Sequence, residues 1–153
     1  MAVLGGIPEG ILIKARDYID FFKEIYTSRT WDGLVELNVH IIKYLLKALD
    51  IDTPIYFESE IGTNAASTER IIEICKKLKA TAYLSGLGGK DYLQEERFEQ
   101  EQIKLQYQKF SHPVYSQCFA KDDSEFIPNM STIDLLFNQG PQSGRILGIE
   151  HSA

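Results

Sequence analysis

Only two cysteines occur in 153 residues, Cys75 and Cys118, far apart and at no metal-ligand or redox spacing. A disulfide scaffold or zinc knuckle is thereby excluded, and free thiols suit a reducing cytoplasm. Cys75 falls on the apolar face of a predicted helix, where a buried thiol is expected. Positive charge is scarce too. The chain has 16 Lys and Arg against 22 Asp and Glu, a net charge of −6, so broad attraction to nucleic acid or anionic lipid is not expected. No apolar run approaches the ~20 residues that span a bilayer. Residues 1–13 are apolar and glycine-rich, but they offer neither a basic n-region nor a cleavage site. The nucleophile elbow, H-E-x-x-H and the complete phosphate-loop and dinucleotide patterns are also missing.

What is present reads as one soluble domain. Residues 1–16 are expected to be irregular, residues 17–141 to form a single α/β domain, and residues 142–153 to be a tail. Within residues 17–28, Tyr18, Ile19, Phe21, Phe22, Ile25 and Tyr26 recur at helical spacing. Asp32 is placed to cap a second helix reaching about Leu49. Its core stripe is Leu34, Leu37, Ile41, Leu45 and Leu49, widened by Ile42 and Leu46, with Glu36, His40, Lys43 and Lys47 in solvent. Residues 54–57 suggest a strand, 58–66 a polar loop, and 67–79 a helix capped by Ser67 or Thr68. A strand over 81–84, a helix from Tyr92 capped by Asp91, and a strand over 103–108 follow. Ser131 and Asp134 propose a capping box for a last helix, which Gly140-Pro141 stops.

This order predicts an α/β fold with a small parallel sheet of about three to four strands flanked by helices, like an incomplete nucleotide-binding domain. Residues 10–13 are the best candidate for an additional strand.

The most informative stretch is Ser85-Gly86-Leu87-Gly88-Gly89-Lys90-Asp91-Tyr92. It follows a strand, and α/β folds place ligands at the carboxyl end of their strands. Gly86, Gly88 and Gly89 let backbone amides approach a phosphate or carboxylate, with Lys90 as a point charge. The competing reading is a tight turn in which the glycines supply positive φ. Arg70, in Ser67-Thr68-Glu69-Arg70, is a second cationic candidate at another helix start, against plain capping and a solvated guanidinium. His112, fixed by Pro113, could be a proton donor or general base, or could simply satisfy loop carbonyls. Asp122, Asp123 and Glu125 lack calcium-loop spacing and read as a solvated loop. Asn129, Asn138 and Gln139 are weak candidates for polar ligand contacts. His40 and His151 attract no role.

Leu37-Asn38, Ser67-Thr68-Glu69-Arg70, Tyr83-Leu84-Ser85-Gly86, Gly89-Lys90-Asp91-Tyr92-Leu93 and His112-Pro113-Val114-Tyr115 occur in this order. Phe126-Ile127-Pro128-Asn129-Met130-Ser131, running into Ile133-Asp134-Leu135-Leu136-Phe137-Asn138 and Gly140, completes the set. In these segments the chain resembles the WbqC-like protein family. Family members usually begin with a longer portion carrying His-Gln-Pro-x-Tyr-Leu-Pro-Trp, and nothing like it occurs here. The chain thus looks like the C-terminal part of the family pattern: a fragment, a short natural protein or one half of a split pair.

The resemblance implies part of a transferase of surface polysaccharide (O-antigen) biosynthesis, with amino-acid or acyl transfer to an amino sugar. A nucleotide or sugar-nucleotide would be the ligand, with Mg²⁺ if a nucleoside triphosphate is used. The alternative is a non-catalytic module docking to a partner chain that supplies the missing portion. A homo-oligomer also remains open.

Overall fold

The computed structural model describes residues 9–118, 120 and 123–149. The chain divides into two compact units, Met1–Thr53 with His112–Ala153, and Pro54–Ser111, where the sequence suggests one domain over 17–141.

The first unit is helical. Helix α1 spans Glu9–Thr27, α2 Leu34–Ala48, α6 Thr132–Gln139 and α7 Ser143–Ile146. Helix α1 takes in residues 10–13, expected as a strand, and part of the segment expected to be irregular; residues 1–8 lie outside the described ones. Tyr18, Phe22 and Ile25 recur at i, i+4 and i+7 on α1 and bury one stripe with Leu49 and Leu136. Phe21 stacks on Tyr44 with ring centroids 3.5 Å apart and on His40 at 5.1 Å. His40 is therefore half-buried among aromatic rings, not solvated as its spacing suggests.

Helix α2 meets this core with Leu37, Ile41, Tyr44, Leu45 and Ala48. Ile42, expected to widen the core stripe, is 47% exposed, and Leu34 is 70% exposed. Gly33, not Asp32, is the N-cap; the Asp32 amide instead donates to Glu36 Oε2 at 3.4 Å. Residues 143–146, expected as tail, form α7 and bury Ser143 and Gly144. A Cβ at Gly144 would stand 2.8 Å from the Leu49 carbonyl oxygen, so only glycine fits that contact.

The second unit holds α3 (Glu58–Ile61), α4 (Ser67–Lys77), β1 (Ala82–Ser85), α5 (Glu95–Gln100) and β2 (Lys104–Tyr107). Strands β1 and β2 pair in parallel, from Ala82 opposite Lys104 to Ser85 opposite Tyr107. The fold is α/β with helices flanking this small parallel sheet, which has two strands and not three or four. Residues 54–57 are not a strand. Pro54 has no amide to donate, and Ile55 and Tyr56 are exposed, so no buried face rewards pairing.

Only one face of the strand pair is covered: Tyr83, Ser85, Leu105 and Tyr107 turn inward, while Leu84 and Gln106 face solvent. Beneath lies a core of Ile72, Cys75, Leu93, Phe98 and Ile103. The Cys75 thiol is buried and unpaired with another cysteine, and burial pushes its pKa up.

Three helices end on left-handed residues without a glycine. Asp50, Lys79 and Gln102 have φ of 57°, 55° and 57° after α2, α4 and α5. In each case the next amide reaches back to a carbonyl in the last turn: Ile51 to Leu46 at 2.9 Å, Ala80 to Cys75 at 2.8 Å and Ile103 to Phe98 at 3.0 Å. These are Schellman closures. In α5 the closure is drawn tight by burying Ile103 in the same cluster as Phe98.

Candidate phosphate-binding rim

In the second unit, three backbone segments meet at the carboxyl edge of the strand pair. β1 passes at Ser85 into Gly86 and a short 3-10 turn, Leu87–Asp91. The Gln108 amide, just past β2, donates to the Ser85 carbonyl at 2.8 Å. The Gln94 amide, where the glycine segment enters α5, donates to Thr68 Oγ1 at the start of α4, 3.3 Å away. Gly86, Gly88, Gly89 and Lys90 are therefore joined to the segment carrying Arg70.

Local details differ from the expected capping. Helix α5 begins at Glu95 with Gln94 as N-cap, not at Tyr92 behind Asp91, because the chain first spends a 3-10 turn. Ala66 is the N-cap of α4, and Ser67 takes a left-handed φ of 52°. The Thr68 hydroxyl is thus released from its own helix to serve the neighbouring one.

Gly86, Gly88 and Gly89 do not supply positive φ; among the described glycines that conformation falls on Gly62, Gly140 and Gly148. Gly89 is needed for close approach, since a Cβ there would lie 2.1 Å from Ser85 Oγ. Around Gly86 and Gly88 a Cβ would meet open space.

The charges at the rim are exposed. Lys90 Nζ stands 5.2 Å from the centroid of the Tyr107 ring, within cation–π range. The Tyr107 hydroxyl donates to Glu95 Oε1 at 2.8 Å. Burial first, and then that carboxylate, hold the phenol above its ordinary pKa, so it stays a neutral donor near pH 7. Arg70 Nε donates to the Ala65 carbonyl at 2.9 Å and lies 3.9 Å from Glu58 Oε1. Its guanidinium remains half exposed.

Thr68 was expected at the start of α4, chiefly as its cap, and the pairing of Tyr107 with Glu95 was not expected. Of that pair Tyr107 was the discernible one, as the last inward residue of an alternating strand.

His112 belongs to the first unit. Its Nδ1 lies 2.9 Å from the Pro113 carbonyl oxygen, and its ring contacts Tyr115 and Phe126. Only a protonated Nδ1 can donate to that carbonyl.

A polar network in the same unit absorbs several other candidates. Asp134 accepts the buried Tyr115 hydroxyl through Oδ2 at 2.8 Å and the Gln117 amide at 3.2 Å, so its carboxylate serves the loop and not the helix cap. Ser131 alone caps α6, accepting the Ile133 amide at 3.2 Å. Gln117 donates to the Ile127 carbonyl at 2.9 Å and accepts the Ile127 amide at 2.8 Å, acting as a surrogate backbone strand.

Asn138 accepts the Cys118 amide at 2.7 Å, and Gln139 donates to the Ser116 carbonyl at 2.7 Å. Both hold the loop where ligand contacts were expected. Asn129 is an exposed left-handed turn residue, φ 60°. Residues 123–125 form one 3-10 turn, while Asp122 and His151 fall outside the described residues.

Among the described residues no buried side-chain nitrogen or oxygen lacks a hydrogen-bond partner. Nor, among them, do three His, Cys, Asp or Glu side chains gather so as to hold a metal ion, and no helix is long and apolar enough to cross a membrane.

Comparison with known proteins supplies the remaining findings. The profile of the WbqC-like protein family matches residues 14–146. The uncharacterized protein Rv1507c of Mycobacterium tuberculosis is 26% identical over 125 residues, covering 81% of this chain and 52% of that protein. The chain thus spans about half the length of the curated relative it matches. No solved structure matches.

Proposed function

The chain belongs to the WbqC-like protein family, and from that premise we propose that its second unit binds the phosphates of a nucleotide or sugar-nucleotide for a transferase of surface polysaccharide biosynthesis. The observation that carries this reading is the meeting of the glycine segment, the end of β2 and the start of α4 at one carboxyl edge. That edge is where parallel α/β sheets bind ligands.

Lys90 supplies the charge for the phosphate, and Gly86 and Gly88 leave the backbone open to it. Arg70 is the second cation of the reading. Tyr107 offers a ring for cation or base stacking, and Glu95 orients its hydroxyl. Mg²⁺ enters only with a nucleoside triphosphate, whose own phosphates would hold it. His112, which lies in the first unit, is the group proposed to move a proton, its ring oriented by the hydrogen bond to the Pro113 carbonyl.

A second reading is a non-catalytic module docking to a partner chain.

Calorimetric titration with nucleotides and UDP-sugars, with and without Mg²⁺, tests the first reading. Lys90→Ala should weaken binding about tenfold, the worth of one charge-assisted hydrogen bond. Unchanged affinity in that variant removes the phosphate assignment. Absence of binding by the unaltered chain favours the docking module.

A further inference from the structure

Helix α2 carries apolar side chains on two opposite faces. Leu37, Ile41, Tyr44, Leu45 and Ala48 pack against the core. Val35, Val39, Ile42 and Leu46 lie nearly opposite on the helical wheel, and none of them belongs to that packed set. Val35 is 67% and Ile42 47% exposed, while Val39 and Leu46 are half-buried. A surface helix ordinarily has one apolar stripe and one wet face.

The second stripe steps by four, three and four residues, the seam spacing of a coiled coil, so the face suits another helix. We propose that this helix is α2 of a second copy of the chain, packed antiparallel about a two-fold axis. The seam reads the same under that operation, Val35 facing Leu46 and Val39 facing Ile42.

Charge selects the orientation. Glu36, which also pairs with Arg29 of its own chain at 3.3 Å, and Lys43, both exposed, flank the seam on one side. In an antiparallel pair this flank runs beside its own reversed copy, so each Glu36 meets a Lys43 and each Lys43 a Glu36. A parallel pair would set Lys43 against Asn38 and give it no carboxylate. Helix α2 has 15 residues, about 22 Å of seam, so the dimer is small and depends on concentration.

Sedimentation equilibrium of the full chain over about a hundredfold concentration range tests this. The apparent mass should rise from monomer toward twice that value. Ile42→Glu, or Val35→Glu as an independent variant, should hold it at monomer with the far-UV circular dichroism unchanged. Glu36→Lys and Lys43→Glu should each weaken association about tenfold. The two substitutions together should restore it.

A chain that stays monomeric throughout overturns the proposal and leaves the face to a different protein. A dimer indifferent to Ile42→Glu overturns it too. So does a double charge reversal that associates no better than the single ones.

Discussion

The two units keep their polar groups in opposite ways. The first buries a network in which Tyr115, Gln117, Asp134 and Asn138 satisfy one another and a loop backbone. The second keeps its charge outside, pairing Lys76 with Glu101 at 2.5 Å and Arg97 with Glu69 at 2.6 Å. Its Lys90 and Arg70 stand exposed at a strand edge. A satisfied internal network specifies one packing and gives a ligand little purchase. Exposed cations beside an open backbone can exchange water for phosphate. On the reading proposed above, phosphate recognition falls to the second unit.

The largest expected effect tests whether the units are independent. Phe98, completely buried in the second unit, should cost about 3–5 kcal/mol when truncated to Ala. Trp31, the chain's one tryptophan, lies in the first unit. Circular dichroism of Phe98→Ala should therefore show an early transition that Trp31 emission does not follow. If both probes move together, the two units unfold as one.

Next comes the contrast among the glycines. Gly89→Ala forces a Cβ onto Ser85 Oγ and should destabilise by about 1–3 kcal/mol. Gly86→Ala, at φ −64°, should be neutral or stabilising by up to about 1 kcal/mol in denaturant melts. Equal losses at both positions would mean that the segment is uniformly crowded.

Smaller still is Tyr115→Phe, which leaves Asp134 one donor short and should cost about 1–2 kcal/mol. It also carries a pH signature. Burial, then the Asp134 carboxylate, pushes the Tyr115 phenol up to about 12. An unfolded tyrosine ionises near pH 10. Across the interval between these values the folded state holds the proton that the unfolded state has lost, so stability falls as pH rises. Below that interval the contribution is complete. Thermal melts between pH 9 and 12 should fall more steeply for the unaltered chain than for Tyr115→Phe.

The smallest change improves the protein. Lys79→Gly relieves the left-handed φ of 55° behind α4 and should add about 0.5–1 kcal/mol. No gain there would show that the Schellman closure is unstrained.

Much of the helical frame was legible in the sequence. Tyr18, Phe22 and Ile25 declare their stripe by spacing alone, and the alternation of Ile103, Leu105 and Tyr107 declares β2. Residues 54–57 misled because β-propensity rewards a buried face, and Ile55 and Tyr56 are 37% and 59% exposed. The left-handed closures behind α2, α4 and α5 were illegible for a different reason. Asp50, Lys79 and Gln102 occupy positions where glycine is the usual signal, held there by tertiary burial of the residue that follows. Of the proposed site, the glycine segment and Lys90 could be read directly. Thr68 could not, because its hydroxyl crosses to Gln94, a partner 26 residues away that only folding brings near.

The first unit is built from two stretches of chain, separated by the whole of Pro54–Ser111. During synthesis, α1 and α2 leave the ribosome long before Leu136, their core partner on α6. The intervening unit is contiguous and can condense while translation continues. Its collapse shortens the loop that must close before Leu136 reaches Phe22, lowering the entropy cost of that closure. The segment proposed to recognise a ligand would thereby also act as the chain's own folding clamp.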